Sequence, residues 1–209
     1  MFNICPRCGE YAVEKRIDPT GPFAICPHCD YPHPFRQLPL FIVTGASGTG
    51  KSTVCLSLAP LLATCVCLES DILWRPEFAT PTDDYRAYRD LWLRVAKNIG
   101  QSGRPVVLFG SATPDQFAVC PERRYFTNLH YLAFVCNDAT LTARLQARPA
   151  WRGSGTPERV AQMVQFNRWL TRHAAETTPA MTLLDTSDLT LDESVERTAR
   201  WIGERLLTG

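Results

Sequence analysis

The sequence lacks the features that mark membrane, secreted and strongly nucleic-acid-binding proteins. Its net charge is only +1, with 22 lysines and arginines against 21 aspartates and glutamates, so no overall electrostatic attraction to nucleic acid or membrane is expected. No apolar run approaches the roughly 20 residues that cross a bilayer, and the start has no basic-then-apolar secretory signal. Internal repeats and low-complexity tracts are also missing. These absences predict a globular protein of the cytoplasm.

Cysteine, by contrast, is abundant, because the 209 residues contain nine. Four of them form two C-x-x-C units, Cys5/Cys8 and Cys26/Cys29, with seventeen residues between the units. In a reducing compartment paired cysteines more often bind metal than form disulfides, and this spacing is typical of zinc sites. Four thiolates complete a closed tetrahedral site, so we expect a structural Zn²⁺ ion that supplies folding energy. Residues 1–36 therefore resemble a zinc ribbon.

Other interpretations of this segment stay open at the level of sequence. His28 or His33 could replace one cysteine as a ligand, and the cysteines could form two disulfides or a redox pair instead. Zinc ribbons contact nucleic acid, contact protein or brace a neighbouring domain. The basic residues of this segment are offset by acidic ones, which favours a solvated surface of mixed charge over a nucleic-acid patch.

The most specific motif follows an apolar, β-branched run at residues 40–43. It has the form G-x-x-x-x-G-K-[ST], and the candidate nucleotide-binding residues are Gly45, Ala46, Ser47, Gly48, Thr49, Gly50, Lys51, Ser52 and Thr53. Glycines let the backbone turn its N–H groups toward phosphate oxygens, and the following helix adds its N-terminal dipole. We expect Lys51 to reach the β- and γ-phosphates of ATP and the Ser52 hydroxyl to bind Mg²⁺. The alternative is a loop that matches the motif by accident.

Strand and helix patterns alternate along the rest of the chain. Apolar runs at 64–68, 106–109, 131–136 and 181–184 predict strands, and amphipathic helices separate them. This alternation predicts an α/β fold with a parallel sheet and helices on both faces. The second strand ends in the acidic stretch Glu69-Ser70-Asp71, and open parallel sheets bind their ligands at that carboxyl edge.

The order of a P-loop, an acidic second-strand end, a long helix and an arginine-bearing helix resembles the P-loop kinases of small molecules and nucleotides. The resemblance implies a kinase domain over residues 37–209 with a lid around 142–156. It also implies the P-loop NTPase fold, with three α/β/α layers and a five-stranded parallel sheet of order 2-3-1-4-5. Asp71 is then the catalytic base, or it orients the acceptor hydroxyl and contacts Mg²⁺ through water. Trp74 would lie beside the acceptor, and Arg75 could pair with an anionic group of the substrate. The alternative is that Asp71 only caps the following turn.

Three arginines recur every fourth residue in the expected lid, namely Arg144, Arg148 and Arg152. The resemblance implies that at least one of them neutralises charge on the transferred phosphoryl group. The alternative is a solvated helix face.

The acceptor is less determined than the fold. The third strand ends in Phe109-Gly110-Ser111 and lacks a Walker B aspartate. This argues against a motor-type ATPase more strongly than against a kinase. Aromatic residues after Asp71 favour a nucleoside or nucleotide acceptor, since bases stack on aromatic rings. The alternative is that these rings are the ordinary core of a helix packed on the sheet. A 5′-hydroxyl end of nucleic acid, a non-nucleotide metabolite, and a nucleotide-dependent switch whose ribbon docks a partner remain alternatives.

Overall fold

Residues 2–207, which the computed structural model describes, form a small antiparallel sheet and a larger parallel sheet with helices around it. The strands are β1 Arg16–Asp18, β2 Phe23–Ile25, β3 Pro32–Pro34, β4 Leu40–Gly45, β5 Val66–Glu69, β6 Val106–Phe109, β7 Leu129–Val135 and β8 Met181–Asp185. The α-helices are α1 Lys51–Leu58, α2 Arg86–Gly100, α3 Pro114–Ala118, α4 Asp138–Gln146, α5 Pro157–His173 and α6 Leu191–Leu207. Met1, Thr208 and Gly209, at the ends of the two predicted domains, lie outside the described residues. None of the described helices is long and apolar enough to cross a membrane.

Strand β4, which leads into the P-loop, lies in the centre of the parallel sheet. It pairs with β6 on one side and β7 on the other, and β5 and β8 form the edges. Numbered over the whole chain, the order is β5-β6-β4-β7-β8. Numbered from β4 within this sheet alone, the same order is 2-3-1-4-5, because three ribbon strands precede β4. The predicted five-stranded parallel sheet is confirmed.

The central strand is buried along its whole length because helices cover both faces of the sheet. Leu40 and Ile42 face a core shared with α2, α3 and α5, whereas Phe41 and Val43 face a core shared with α1 and α6. Successive side chains of a strand point to opposite faces, so a strand between two helical layers needs apolar residues at every position. This packing confirms the predicted three-layer α/β/α architecture.

The N-terminal segment forms the antiparallel sheet β1-β2-β3 and packs directly against the α/β body. Phe2 and Phe35 of this segment share one buried cluster with Tyr125, which follows α3 in the body. The ring of Tyr125 meets those of Phe2 and Phe35 edge-on, with centroids 5.2 and 5.9 Å apart. The ribbon is therefore seated on the body beside the predicted boundary between the two domains.

Candidate active site

The loop between β4 and α1 has the conformation that its glycines allow. Gly45, Gly48 and Gly50 have φ angles of 148°, 97° and 98°. A Cβ atom at Gly45 would lie 2.6 Å from the carbonyl oxygen of Phe134, so this position also needs glycine for space. Gly50 caps the N-terminus of α1. The loop therefore precedes a helix N-terminus whose free N–H groups and dipole suit a phosphate.

Lys51 begins α1 and turns back over the loop. Its Nζ donates hydrogen bonds to the carbonyl oxygens of Gly45 at 2.6 Å and Ala46 at 3.0 Å. Burial lowers the pKa of Lys51 to about 8, while the Asp71 carboxylate acts to raise it and the Arg148 guanidinium to lower it. The structure thus brings three of the predicted catalytic residues close enough for their charges to interact.

Glu69, the last residue of β5, contacts the P-loop in a way that the motif alone does not reveal. The Ser52 hydroxyl donates a short hydrogen bond to its carboxylate. A hydroxyl and a carboxylate side by side are the hard oxygen ligands that Mg²⁺ prefers, so these two residues fit the predicted magnesium site. Strand β6 supplies no acid, and Ser111 after it donates to the Gly45 carbonyl at 2.7 Å. The carboxylate next to the P-loop serine therefore comes from β5 rather than from β6.

Asp71 is exposed on a one-turn 3₁₀ helix, Ser70–Leu73, directly after β5. The turn is anchored from α2, because the buried Tyr88 hydroxyl donates to the Ser70 carbonyl at 2.8 Å. It also packs tightly on Gly110, where a Cβ atom would lie 2.7 Å from the Ser70 hydroxyl. An exposed carboxylate on an anchored turn can accept a bond from a ligand without first giving up another ion pair.

A cleft of about 640 Å³ opens beside the P-loop, and most of the predicted nucleotide-binding and catalytic residues line it. Its floor is formed by the P-loop and α1, and the acidic end of β5 lies along one side. The rest of the lining comes from the end of β6, from two arginines of the lid, and from an arginine and two apolar side chains of α5. The lining residues are Ser47, Gly48, Gly50, Lys51, Ser52, Thr53, Leu56, Glu69, Ser70, Asp71, Phe109, Gly110, Ser111, Arg148, Arg152, Arg159, Met163 and Phe166.

Trp74 and Arg75, the other predicted acceptor residues, lie outside this lining. Trp74 packs edge-on against Tyr88 with ring centroids 5.0 Å apart, and Tyr88 in turn packs on Phe78 and Trp92. Trp74 and Phe78, which follow the Asp71 turn, therefore pack on Tyr88 of α2. Sequence reasoning left open whether these rings contact the acceptor or belong to the core, and this packing favours the core.

The predicted lid arginines separate into three environments. Arg148 lines the cleft, where it donates to the Ser47 hydroxyl at 2.9 Å. Arg152 also lines the cleft, with its guanidinium 5.3 Å from the exposed Trp151 ring centre. Arg144 points elsewhere and donates to the Thr186 carbonyl at 2.9 Å. Only two of the three therefore line the cleft with Asp71.

Arg144 instead lines a second cavity of about 310 Å³ on the other side of the P-loop. The two cavities share Gly48, Gly50 and Thr53, and Arg148 borders both. The outer wall of the second cavity comes from the loop after β8 and the start of α6, through Thr186, Leu189, Thr190, Leu191 and Ser194. A phosphate chain on the P-loop would have one cavity at each end.

Sequence reasoning missed Arg159 and Met163, which line the cleft together with Phe166. The three side chains stand four and three residues apart in α5, so they share one face of that helix. The Arg159 guanidinium bonds Gln162 on its own helix. The sequence signal that could have identified this face is an arginine spaced at helical intervals from apolar residues.

The pKa of Lys51 predicts proton uptake when ATP binds at high pH. Below pH 8 Lys51 is already protonated in the free protein, whereas above pH 8 it is neutral and gains a proton on meeting the phosphates. We expect no uptake at pH 7, uptake approaching one proton near pH 9, and affinity that falls up to about tenfold per pH unit above 8. Calorimetry of ATP binding in buffers of different ionisation enthalpy measures this. Equal uptake by Lys51→Met, or none at pH 9, would contradict the assignment.

The four cysteines of the ribbon come together as predicted. Their sulfur atoms all lie within 4.8 Å of one another, and the Cys5–Cys29 and Cys8–Cys26 pairs are 3.7 Å apart. All four are free thiols, so this structure contains no disulfide among them. Four sulfurs at about 2.3 Å from a zinc ion would be about 3.8 Å apart, which matches. Neither ribbon histidine belongs to the cluster.

Comparison with known proteins supports the fold. No family model matches the sequence, and no curated protein matches it. Among solved structures, a sugar kinase from Janibacter sp. HTCC2649 is 19% identical, with TM-score 0.61 over 80% of this chain and 95% of its own. A gluconokinase from Sinorhizobium meliloti 1021 is 21% identical, with TM-score 0.55 over 83% of this chain and 98% of its own. A shikimate kinase from Bacteroides thetaiotaomicron is 16% identical, with TM-score 0.52 over 79% of this chain and 98% of its own. The chain therefore shares the fold of these three solved structures.

Proposed function

We propose that the protein is an ATP-dependent kinase that transfers the γ-phosphate of ATP to a hydroxyl of a small, negatively charged molecule. The observation that carries this proposal is the cleft, which holds Asp71 opposite the P-loop, while a separate cavity lies on the other side of the same loop. A nucleotide-dependent switch needs no pocket opposite the γ-phosphate. Two cavities that share the P-loop suit a donor nucleoside and an acceptor.

The donor side follows from the P-loop. Backbone N–H groups and Lys51 would bind the phosphates of ATP, and the nucleoside would extend into the smaller cavity beside Arg144 and Thr186. Ser52 and Glu69 would hold Mg²⁺, directly or through water. The ion, when bound, neutralises charge on the β- and γ-phosphates.

On the acceptor side Asp71 orients the hydroxyl and accepts its proton, since phosphoryl transfer depends mainly on positioning and charge stabilisation. Lys51 and Arg148 stabilise the charge on the moving phosphoryl group, and Arg152 adds a cation from the lid. The segment that carries it suits movement, because it is a single 3₁₀ turn, Ala150–Arg152, that ends at Gly153 with a φ of 60°. Closure of such a segment would exclude water from the transfer.

The charges around the cleft favour an anionic acceptor. Within residues 2–207, Arg148, Arg152 and Arg159 form no ion pair with a carboxylate. Arg148, which contacts Ser47 of the P-loop, would pair with the phosphates of ATP. Arg159 is bonded only within its own helix, so it is available to an anionic group of the acceptor. Met163 and Phe166 beside it suit the carbon skeleton.

A nucleoside acceptor has less support from this geometry than from the sequence. It depended on aromatic rings near Asp71. Trp74 and Phe78 pack on Tyr88, and both Tyr88 and Trp92 belong to α2 and are buried. Two aromatic residues line the cleft. Phe166 could stack on a base, whereas Phe109 is buried in the sheet. Nucleotides therefore stay among the anionic acceptors to be tested, beside sugar acids and other hydroxy acids.

We also propose that Cys5, Cys8, Cys26 and Cys29 bind one Zn²⁺ ion. The tetrahedral spacing of their sulfurs supports this. With four protein ligands no position is left for a substrate, so the ion has a structural role.

The test is a product search in which the protein and Mg-ATP are incubated with separate pools of sugar acids, other hydroxy acids, neutral sugars, nucleosides, nucleotides and 5′-hydroxyl oligonucleotides. We expect phosphorylation from an anionic small-molecule pool. With that acceptor, Arg159→Gln should raise KM about 10- to 100-fold and change kcat little, because a hydrogen bond to a charged group is lost in ground and transition states alike.

The matched control is Arg172→Gln, which removes an exposed arginine from the same helix outside the cleft. It should leave KM unchanged. A neutral sugar as the best acceptor, or an unchanged KM in Arg159→Gln, would contradict the anionic acceptor. ATP hydrolysis with no acceptor from any pool would favour the switch instead.

A further inference from the structure

Lys97, near the end of α2, is the centre of the contact between ribbon and body. Its side chain is fully buried, and its Nζ donates to the Glu122 carboxylate at 2.6 Å and to the Asn3 side-chain oxygen at 2.7 Å. The same Nζ lies 4.8 Å from the Phe2 ring centre and 4.3 Å from that of Tyr125. The ribbon therefore supplies one hydrogen bond and one aromatic face to a buried charge of the body. A buried charge that loses its partners is strongly destabilised.

Tyr125 makes a second connection of the same kind. Its hydroxyl donates to the Val13 carbonyl at 2.5 Å and accepts from the Lys15 backbone N–H at 2.9 Å. Lys15 is itself buried, and its Nζ donates to the Phe2 carbonyl at 3.0 Å. These bonds join the body to the backbone between the two cysteine pairs, so they exist only while the ribbon is folded.

The position of Asn3 depends on the first cysteine turn. The Asn3 carbonyl accepts from the Ala12 N–H at 3.0 Å, and between these residues the Cys5 N–H donates to the Glu10 carbonyl at 2.8 Å. Apart from the cluster that it shares with Tyr125, the ribbon has little apolar core of its own. Metal ligation is what holds such a short segment in one conformation.

Helix α2 leads from this contact to the active site. Tyr88 lies nine residues before Lys97, about 13 Å along the helix at 1.5 Å per residue. Its hydroxyl holds the Ser70 carbonyl in the turn that carries Asp71. One helix thus contacts the ribbon near its C-terminal end and the Asp71 turn near its start.

We infer that the zinc-loaded ribbon is a brace for the active site, in which Asn3 and Lys97 act as positioning residues that hold α2 and, through Tyr88, the Asp71 turn. The ribbon is then part of the folded body. This inference uses the proposed zinc site, and its consequence, that the ribbon is needed for acceptor positioning and not for holding ATP, rests on the proposed function.

Hydrogen exchange of the full chain tests the brace without any acceptor. The parent protein should contain about one zinc per chain by elemental analysis. Removing zinc with a chelator should accelerate exchange about tenfold or more in α2 and in residues 70–73, and leave α6 on the opposite face unchanged. Asn3→Ala should produce the same local acceleration with zinc retained, because it cuts the link to Lys97 and leaves the cysteines in place.

The matched control is Glu14→Gln, which removes the exposed ion pair between Glu14 and Arg124 at the same interface. It should not change exchange in α2. The inference is overturned if zinc removal accelerates exchange only within residues 2–35, or if Asn3→Ala retains zinc and α2 exchanges as in the parent. If chelation unfolds the whole chain, hydrogen exchange of α2 in the Asn3→Ala variant alone decides whether the ribbon braces α2.

Discussion

Lys51→Ala should reduce phosphoryl transfer by about 10²- to 10³-fold or more and leave the protein folded. The loss is expected because Nζ is a preorganised cation at the point where the phosphoryl charge develops, and such groups typically contribute that much. In the folded protein the Nζ bonds only carbonyl oxygens of its own loop. Burial lowers its pKa, so the charged form costs free energy in the folded state near neutral pH. Its removal should therefore not lower the melting temperature.

The measurement is turnover and thermal unfolding of the variant beside the parent. Arg200→Gln is the matched control, since it removes an exposed cation that pairs with Glu196 on α6 and lines neither cavity. The control should match the parent in both readouts. If Lys51→Ala turned over as fast as the parent, the P-loop would not be the phosphate site.

Asp71→Asn should reduce transfer to the acceptor by about 10²- to 10⁴-fold, which is the range for loss of a general base. Asparagine keeps the shape of the side chain but cannot hold and deprotonate the acceptor hydroxyl. ATP affinity should change much less, because the P-loop backbone and Lys51 still bind the phosphates. The turn itself should persist, since Tyr88 holds it through the Ser70 carbonyl rather than through Asp71.

Acceptor phosphorylation and ATP affinity are measured for parent and variant side by side. Asp83→Asn is the control, because it neutralises an exposed aspartate outside the cleft. A switch would show altered nucleotide affinity or hydrolysis in Asp71→Asn and no acceptor. If Asp71→Asn phosphorylated the acceptor as fast as the parent, Asp71 would only cap its turn, and catalysis would rest on Glu69 or the arginines.

Local patterns made the fold predictable. The P-loop, the two C-x-x-C cysteine pairs and the alternation of strands with helices each depend on residues within a few positions of one another. The resemblance that these motifs carry also provided the strand order. The residues of the cleft were harder to predict, because they come from five separate segments: the P-loop with α1, the end of β5, the end of β6, the lid and α5. Arg159 in particular lies more than one hundred residues after Lys51.

What the sequence determined by itself is therefore the α/β fold, the phosphate loop, the paired cysteines and an acidic strand end beside the loop. The tertiary structure alone decided which side chains share a cavity. It packed Trp74 and Phe78 on Tyr88 of α2, and it brought Glu69 onto Ser52. It placed Arg144 in the smaller cavity alone, whereas Arg148 borders both cavities. It also seated the ribbon on Lys97. The physical reason is that periodicity specifies which face of an element is buried, whereas the partner of that face is chosen by packing between segments distant in sequence.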